Sequence, residues 1–395
     1  MEFGKHQITV GSKIGHGSYG NVHQCVIEER RYAVKIIPKN YALEILMELV
    51  VLCSIRHPSL LNASFRPRFV NKRDLYVVTP LAISDLRKYT NKHSGLIARP
   101  ETLKLWSSQL CQAVYVLHFY GLVHGDIKAS NVMVMGDSRV VLGDFTSTIL
   151  LKNERRFNFY STTVTHRSLE EFMGKIIPAK YFWTGKPQDI WALACTLYEM
   201  CYGQPIVEFT GVDNYDDGSS EATVMKSVKQ LLALLAKDPD ATTSPMYADA
   251  KIYTSECAYV AVQRPPERFL GPFGAMLASM LCLDPEKRVT ARGLIQQTEF
   301  HGSMEVERGN LMKVKHETSI DDWQWVHTIP ATLDRDFVNG IYAKIPHTIV
   351  LPVAQKQRIA LLISALMTRT VIHDLSVVEI KYVLKTLDAI GMRLL

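Results

Sequence analysis

The sequence predicts an α+β protein: a small β-rich N-terminal part with one helix, a larger helical part, and a helical C-terminal tail. Three observations carry this. Residues 6–90 hold short runs rich in Val, Ile and Tyr between turn residues, the mark of strands. Residues 95–300 carry apolar residues at helical spacing, with strand-like runs near 122–146. Beyond residue 345, two stretches repeat the i, i+3, i+4, i+7 spacing of an amphipathic helix.

The elements follow in order. Strands are expected at Gln7–Ile14, Gly20–Ile27, Tyr32–Ile37 and Leu75–Pro80. Between the last two, Leu43, Leu46, Met47, Val50 and Val51 place a helix over Tyr41–Ile55. Trp106, Leu110, Val114 and Leu117 make one face of a helix ending at His118, and Asp189–Met200 reads as a second buried helix. Residues 211–220 are a polar loop by composition, and 303–345 are irregular and charged. In the tail, Ile359, Leu362, Ile363 and Leu366 form one apolar face; Ile380, Val383, Leu384 and Leu387 form another. Ser376 and Glu379 fit a capping box before the second helix, and Gly391 sits where its C-terminal cap would be.

Bulk composition narrows the class without naming a chemistry. With 395 residues, 47% hydrophobic and 21% charged, the chain has enough apolar surface to exclude disorder throughout. The net charge of +6 comes from 45 Lys and Arg against 39 Asp and Glu. The basic residues occur as scattered pairs, such as Arg30-Arg31, Lys72-Arg73 and Arg155-Arg156, rather than as a patch, so no nucleic-acid partner is expected. Seven cysteines without a C-x-x-C fit neither a disulfide framework nor a zinc site, and point to a reducing compartment. The first ten residues lack the apolar core of a signal peptide. The apolar stretch Ile359–Met367 falls far short of the ~20 residues that span a bilayer. The expectation is an intracellular protein, cytoplasmic or nuclear, with no membrane contact.

The first chemical signal is Gly15-His16-Gly17-Ser18-Tyr19-Gly20-Asn21-Val22, a G-x-G-x-x-G-x-V pattern. Glycines let backbone amides approach phosphate oxygens with no β-carbon in the way. A dinucleotide fold needs a helix after these glycines. Here Asn21–Ile27 reads as a strand, which favours a β-hairpin lid over phosphates and leaves an oxidoreductase without support. In Ala33-Val34-Lys35, a lysine on the next strand can reach under such a lid and pair with the α- and β-phosphates.

The most specific stretch is His124-Gly125-Asp126-Ile127-Lys128-Ala129-Ser130-Asn131, followed by Asp144-Phe145-Thr146. Taken in order with the glycine pattern and Lys35, these residues resemble the eukaryotic protein kinase family, with the serine/threonine form of the catalytic loop. The resemblance covers about 6–302: an N-lobe over 6–80 and a C-lobe over 86–302, with 303–395 left as a C-terminal extension. It implies a two-lobed fold, ATP and Mg²⁺ as cofactors, and a protein substrate offering Ser or Thr.

The resemblance also implies roles. Asp126 is similar to the base that takes or orients the substrate hydroxyl proton, and Lys128 to the residue that neutralises the γ-phosphate. Asn131 and Asp144 match the Mg²⁺ ligands, oxygen donors suited to a hard cation. Lys35 would pair with Glu48 on the first helix, with Glu44 as the alternative. Gly15, Gly17 and Gly20 would cover the phosphates. The run Leu75–Ala82 is similar to the hinge: Thr79 as gatekeeper, the Pro80 carbonyl and the Ala82 amide toward adenine, and Asp85 at the ribose. Ile14, Val22, Ala33 and Met133 would sandwich the base. Glu170 would pair with Arg288, and Asp189-Ile190-Trp191 marks a central helix.

Three positions depart from the family pattern. Gly125 replaces Arg in H-R-D, so activity should not depend on loop phosphorylation through that arginine. Thr146 replaces Gly in D-F-G; a β-branched residue disfavours positive φ, so inversion of the segment should be harder. Leu169 replaces Pro in A-P-E. These motivate a competing expectation, a pseudokinase acting as a nucleotide-binding or protein-interaction scaffold. The divergent motifs also resemble kinases of large DNA viruses, which would place the protein in a host cell. For the tail helices, docking in cis and binding a partner both stay open.

Overall fold

The structure, a computed structural model, describes residues 2–3, 6–17, 19–38, 41, 45, 48–49, 51–52, 55, 57–65, 67–70, 74–96, 99–150, 163–176, 185–206, 228–229, 231–232, 236, 242–255 and 271–296. These fall into two compact units. The first takes residues up to Ile83 and again Met135–Leu150; the second begins at Ser84, runs to Val134, and takes the described residues from 163 onward.

The first unit is built on a six-stranded antiparallel sheet. Its strands are β1 (Glu2–Phe3), β2 (His6–Gly17), β3 (Gly20–Ile27), β4 (Arg30–Pro38), β5 (Arg68–Val70) and β6 (Asp74–Pro80), in the order β1-β2-β3-β4-β6-β5. Two hairpins make its centre. The β3–β4 turn is two residues long, and Glu28 and Glu29 both have positive φ (49° and 63°), as a turn matching the strand twist requires. One face of the sheet buries Phe3, Ile8, Cys25, Ile27, Val34, Val70, Tyr76 and Val78 as a single apolar cluster. Alternation along β2, β3, β4 and β6 puts these residues on one side. Helical residues 48–49 and 51–52 belong to this unit, with Leu49 N donating to Ile45 O at 3.0 Å. So does β10 (Val140–Leu142), whose Leu142 carbonyl accepts from Leu61 N at 2.8 Å.

The second unit is mostly helical: α1 (Leu86–His93), α2 (Pro100–Phe119), α3 (Leu169–Ile176), α4 (Lys186–Tyr202), α5 (Pro245–Ser255), α6 (Gly271–Met280) and α7 (Ala291–Gln296). Its short strands β7 (Ser84–Asp85) and β9 (Val132–Val134) pair antiparallel, and β8 (Leu122–Val123) precedes the functional loop. Every residue of α4 from Gln188 to Cys201 is buried, so it is the core about which the others pack. Its N-terminal Asp189 is buried too. The carboxylate accepts from His124 N (2.7 Å), Gly125 N (3.0 Å) and His118 Nε2 (3.0 Å), which anchors residues 124–125 to the core.

The four expected strands and two expected helices of the central part are present; Gly20–Ile27 has its expected bounds and the others are longer. Helix α2 starts at Pro100 rather than Trp106, because Pro at N1 and Glu101 in the first turn suit a helix start without contributing to the apolar face. Strands β1 and β5 escape sequence reading: two or three residues are too few to show a period. Most of the expected helix 41–55 away from its described positions, the polar loop 211–220, the segment 303–345 and both tail helices lie outside the described residues. No described helix is long and apolar enough to cross a membrane.

Candidate active site

The first unit carries Lys35, Glu48, the glycine hairpin and Asp144. Lys35 Nζ donates to Glu48 Oε1 at 2.8 Å and to Oε2 at 2.7 Å. Lys35 lies on β4 and Glu48 among the helical residues, so the pair ties helix to sheet. Burial pulls the Lys35 ammonium toward its neutral form, but Glu48, Asp144 and Tyr19 outweigh it and hold its pKa above the ordinary lysine value. The pairing assigns Glu48, with Glu44 outside the described residues.

The glycine pattern forms the β2–β3 hairpin tip, Gly17 opposite Gly20, and not a strand-to-helix turn. A β-carbon at Gly17 would stand 3.4 Å from Lys35 Cε and 3.8 Å from its Nζ, so the lysine stem runs along the hairpin. A β-carbon at Gly20 would overlap the Ile36 carbonyl oxygen; only glycine fits there. Gly15 faces Val22, and Val22 in turn pairs with Lys35. Ala33 on β4 stands opposite Thr79 on β6, and Pro80 opposite Tyr32. Ala82 follows β6 outside any strand, and Ile14 is 45% exposed. Asp144 has φ 55°, and its Oδ1 accepts from the Thr146 hydroxyl at 2.7 Å.

The second unit carries Asp126, Lys128, Asn131, Asp85 and Met133. Asp126 Oδ2 meets Lys128 Nζ at 2.7 Å and Asn131 Nδ2 at 3.2 Å. Asn131 Nδ2 also donates to the Asp126 carbonyl at 2.8 Å, so the loop is clasped on itself. Asp126 Oδ1 accepts from the Thr163 hydroxyl (2.8 Å) and amide (3.2 Å), and that hydroxyl accepts from Lys128 Nζ at 2.9 Å. Burial opposes the Asp126 charge, but Lys128, Thr163 and His124 outweigh it, and the carboxyl lies below its ordinary pKa. Asp126 therefore stays ionised at neutral pH, able to accept a hydrogen bond but a weak base.

Met133 on β9 is paired with Asp85, whose carboxylate also caps α1 through Lys88 N at 2.8 Å and meets Lys88 Nζ at 2.9 Å. By sequence, Thr163 opens a stretch to Glu170 that is similar to the end of a kinase activation segment, with no contact to Asp126 implied. It lies 37 residues from Asp126, and no local pattern announces a hydroxyl whose partner is that far along the chain. Thr146 was singled out for its backbone, while its hydroxyl is what makes contact.

Each unit carries an oxygen donor of the kind that suits a hard cation. In the second unit both side-chain hydrogen bonds of Asn131 use its NH₂ group, which leaves the amide oxygen for an ion; in the first unit Asp144 carries a carboxylate. Among the described residues no group of three or more His, Cys, Asp or Glu could hold a metal alone. Amide and carboxylate oxygens are the donors Mg²⁺ takes, alongside phosphates and water.

The family model described as protein kinase domain matches residues 8–300. A glycogen synthase kinase-3 homolog, YGK3 of Saccharomyces cerevisiae, is 27% identical over 255 residues, which cover 59% of this chain and 62% of the relative. Serine/threonine-protein kinase 32B of Homo sapiens is 26% identical over 255 residues, covering 59% and 60%. Mitogen-activated protein kinase pmk-3 of Caenorhabditis elegans is 27% identical over 310 residues, covering 72% and 62%. The chain thus spans under two thirds of the length of each. The family model covers well over half of the chain, the sheet-based N-terminal part and helical C-terminal part are those of its fold, and the chain belongs to the protein kinase family.

Proposed function

We propose that the chain is an ATP-dependent serine/threonine protein kinase, with its catalytic domain over 6–302 and an extension over 303–395. The observation that carries this reading is the cluster of Asp126, Lys128, Asn131 and Thr163, joined by five hydrogen bonds and one ion pair. In it an ionised carboxylate is held ready beside a cation. A Ser or Thr hydroxyl of a protein substrate would donate to Asp126. As its oxygen bonds to the γ-phosphorus, the bond from that phosphorus to the β–γ bridging oxygen breaks, ADP leaves, and the hydroxyl proton passes to Asp126. Lys128 neutralises charge on the transferring group. Lys35, oriented by Glu48, pairs with the α- and β-phosphates beneath Gly15, Gly17 and Gly20. Asn131 and Asp144 would hold Mg²⁺, which would supply charge neutralisation on the phosphates. In the first unit Pro80 O, Ala82 N, Ile14, Val22, Ala33 and Thr79 would hold adenine; in the second unit Met133 is assigned to the base and Asp85 to the ribose.

The departures at Gly125, Thr146 and Leu169 favour the alternative, a pseudokinase scaffold, but none removes a group assigned to metal or phosphate. One assay separates the two: transfer of labelled γ-phosphate to a basic acceptor protein by wild type and by Asp126→Ala. Transfer by wild type and its loss in the variant supports the kinase. Absence from both overturns it in favour of the scaffold.

A further inference from the structure

Thr146 stands where the family pattern has glycine, and its side chain is engaged. The hydroxyl donates to Asp144 Oδ1 at 2.7 Å. Thr146 is nine-tenths buried, Phe145 is fully buried, and Thr148 N closes a turn onto the Phe145 carbonyl at 3.1 Å. Asp144 itself has φ 55°, a left-handed conformation that a residue with a β-carbon keeps when its surroundings hold it there. Asp144 also feels two opposite charges in its own unit, Lys35 and Glu48. A glycine at 146 would offer that carboxylate no side-chain donor.

We propose that Thr146 is a positioning residue for the divalent cation that accompanies ATP. Its hydroxyl holds one oxygen of Asp144, so that the other is presented to the ion before the ion arrives. The proposal rests on the reading of Asp144 as a cation ligand. It follows from a general property of metal sites: a hydrogen bond to a ligating group fixes its orientation, and losing that bond typically weakens metal binding about 10–100-fold. The hydroxyl replaces, from the side chain, orientation that a glycine could take only from its backbone.

The test uses the full chain and Mn²⁺ as a paramagnetic stand-in, titrated in the presence of ADP, with free Mn²⁺ counted by electron paramagnetic resonance. Wild type is compared with Thr146→Ser, Thr146→Val, Thr146→Gly and Asp144→Asn, and each melting temperature is recorded. The expected result is near-wild-type affinity for Thr146→Ser, and a rise in Kd of about tenfold for the Val and Gly variants and for Asp144→Asn. The Gly variant keeps the question answerable if Val does not fold. Wild-type Mn²⁺ affinity in a folded Val or Gly variant, with Asp144→Asn weakened, overturns the positioning role and leaves the ligand assignment standing. Wild-type affinity in Asp144→Asn overturns the ligand assignment and the proposal with it.

Discussion

Arg288 grips Glu170 with two hydrogen bonds, Nη1 to Oε1 at 2.6 Å and Nη2 to Oε2 at 3.1 Å, across 118 residues of chain. Both side chains are buried. The same guanidinium donates to the Pro187 and Cys282 carbonyls at 2.8 and 2.9 Å and lies 5.0 Å from the centre of the Trp191 ring. One side chain therefore joins the start of α3, the start of α4 and the chain between α6 and α7. Removing it strands a buried carboxylate and two carbonyls. Arg288→Ala should cost about 3–5 kcal/mol of stability. A melting transition matching wild type would show that the pair is not needed for folding.

The Lys35–Glu48 pair should matter for catalysis more than for folding. Glu48→Gln keeps the shape but removes the charge that holds Lys35 in place. The expected result is a folded protein whose kcat/KM for ATP falls by about 10² or more, in the range seen when one preorganised electrostatic group is lost. Steady-state kinetics beside a melting curve would check it; unchanged kinetics would dissociate the pair from phosphate handling.

Thr163 links the catalytic loop to the segment that follows it. Thr163→Val removes the hydroxyl that spans Asp126 and Lys128 and should lower kcat about 10²-fold. Thr163→Ser should recover most of that loss. Equal kcat in the Val and Ser variants would count against a role for the hydroxyl.

Gly125 has φ 79°, with its amide bound to Asp189. Gly125→Ala forces a β-carbon into the left-handed region and should cost about 1–2 kcal/mol, read from denaturant unfolding. Restoring the family arginine there should be at least as costly and should not raise activity. A stabilised Gly125→Arg protein would refute this.

His166 makes stability sensitive to acid. Burial first, with help from Arg87 and Lys128 and against Asp126, lowers its pKa to about 3. Its ring lies 3.9 Å from Glu199 and bonds Thr165 Oγ1 at 2.9 Å. Below the ordinary histidine pKa of about 6.5 the unfolded chain takes up a proton that the folded chain refuses, so stability falls as pH drops. Between pH 7 and 5 this one group should remove about 2 kcal/mol. His166→Phe should flatten the change in melting temperature over that window; an unchanged slope would mean other groups set it.

Much of this could be read in the sequence because several of the residues that meet lie close together in the chain. The glycine hairpin, Asp126 to Asn131 and Asp144 are short patterns whose geometry is local, and long runs such as α2 and α4 show their period clearly. What could not be read depends on partners far along the chain. Glu48 rather than Glu44 is a question of which helical turn meets Lys35, and spacing alone left both open. β1 is a strand only because β2 supplies its hydrogen bonds.

The sequence by itself determined the family pattern, the order of its chemical groups, and where strands give way to helices, since each is encoded in local spacing and side-chain type. Only the tertiary structure decided what those groups touch. Asp189 anchors the catalytic loop from 64 and 65 residues away. Thr163 closes over Asp126 from 37. Thr146, marked in the sequence as a backbone departure, acts in the fold through its hydroxyl on Asp144. The physical reason is that a hydrogen bond is decided by a few tenths of an ångström and an angle. Neither exists until the core has placed both partners.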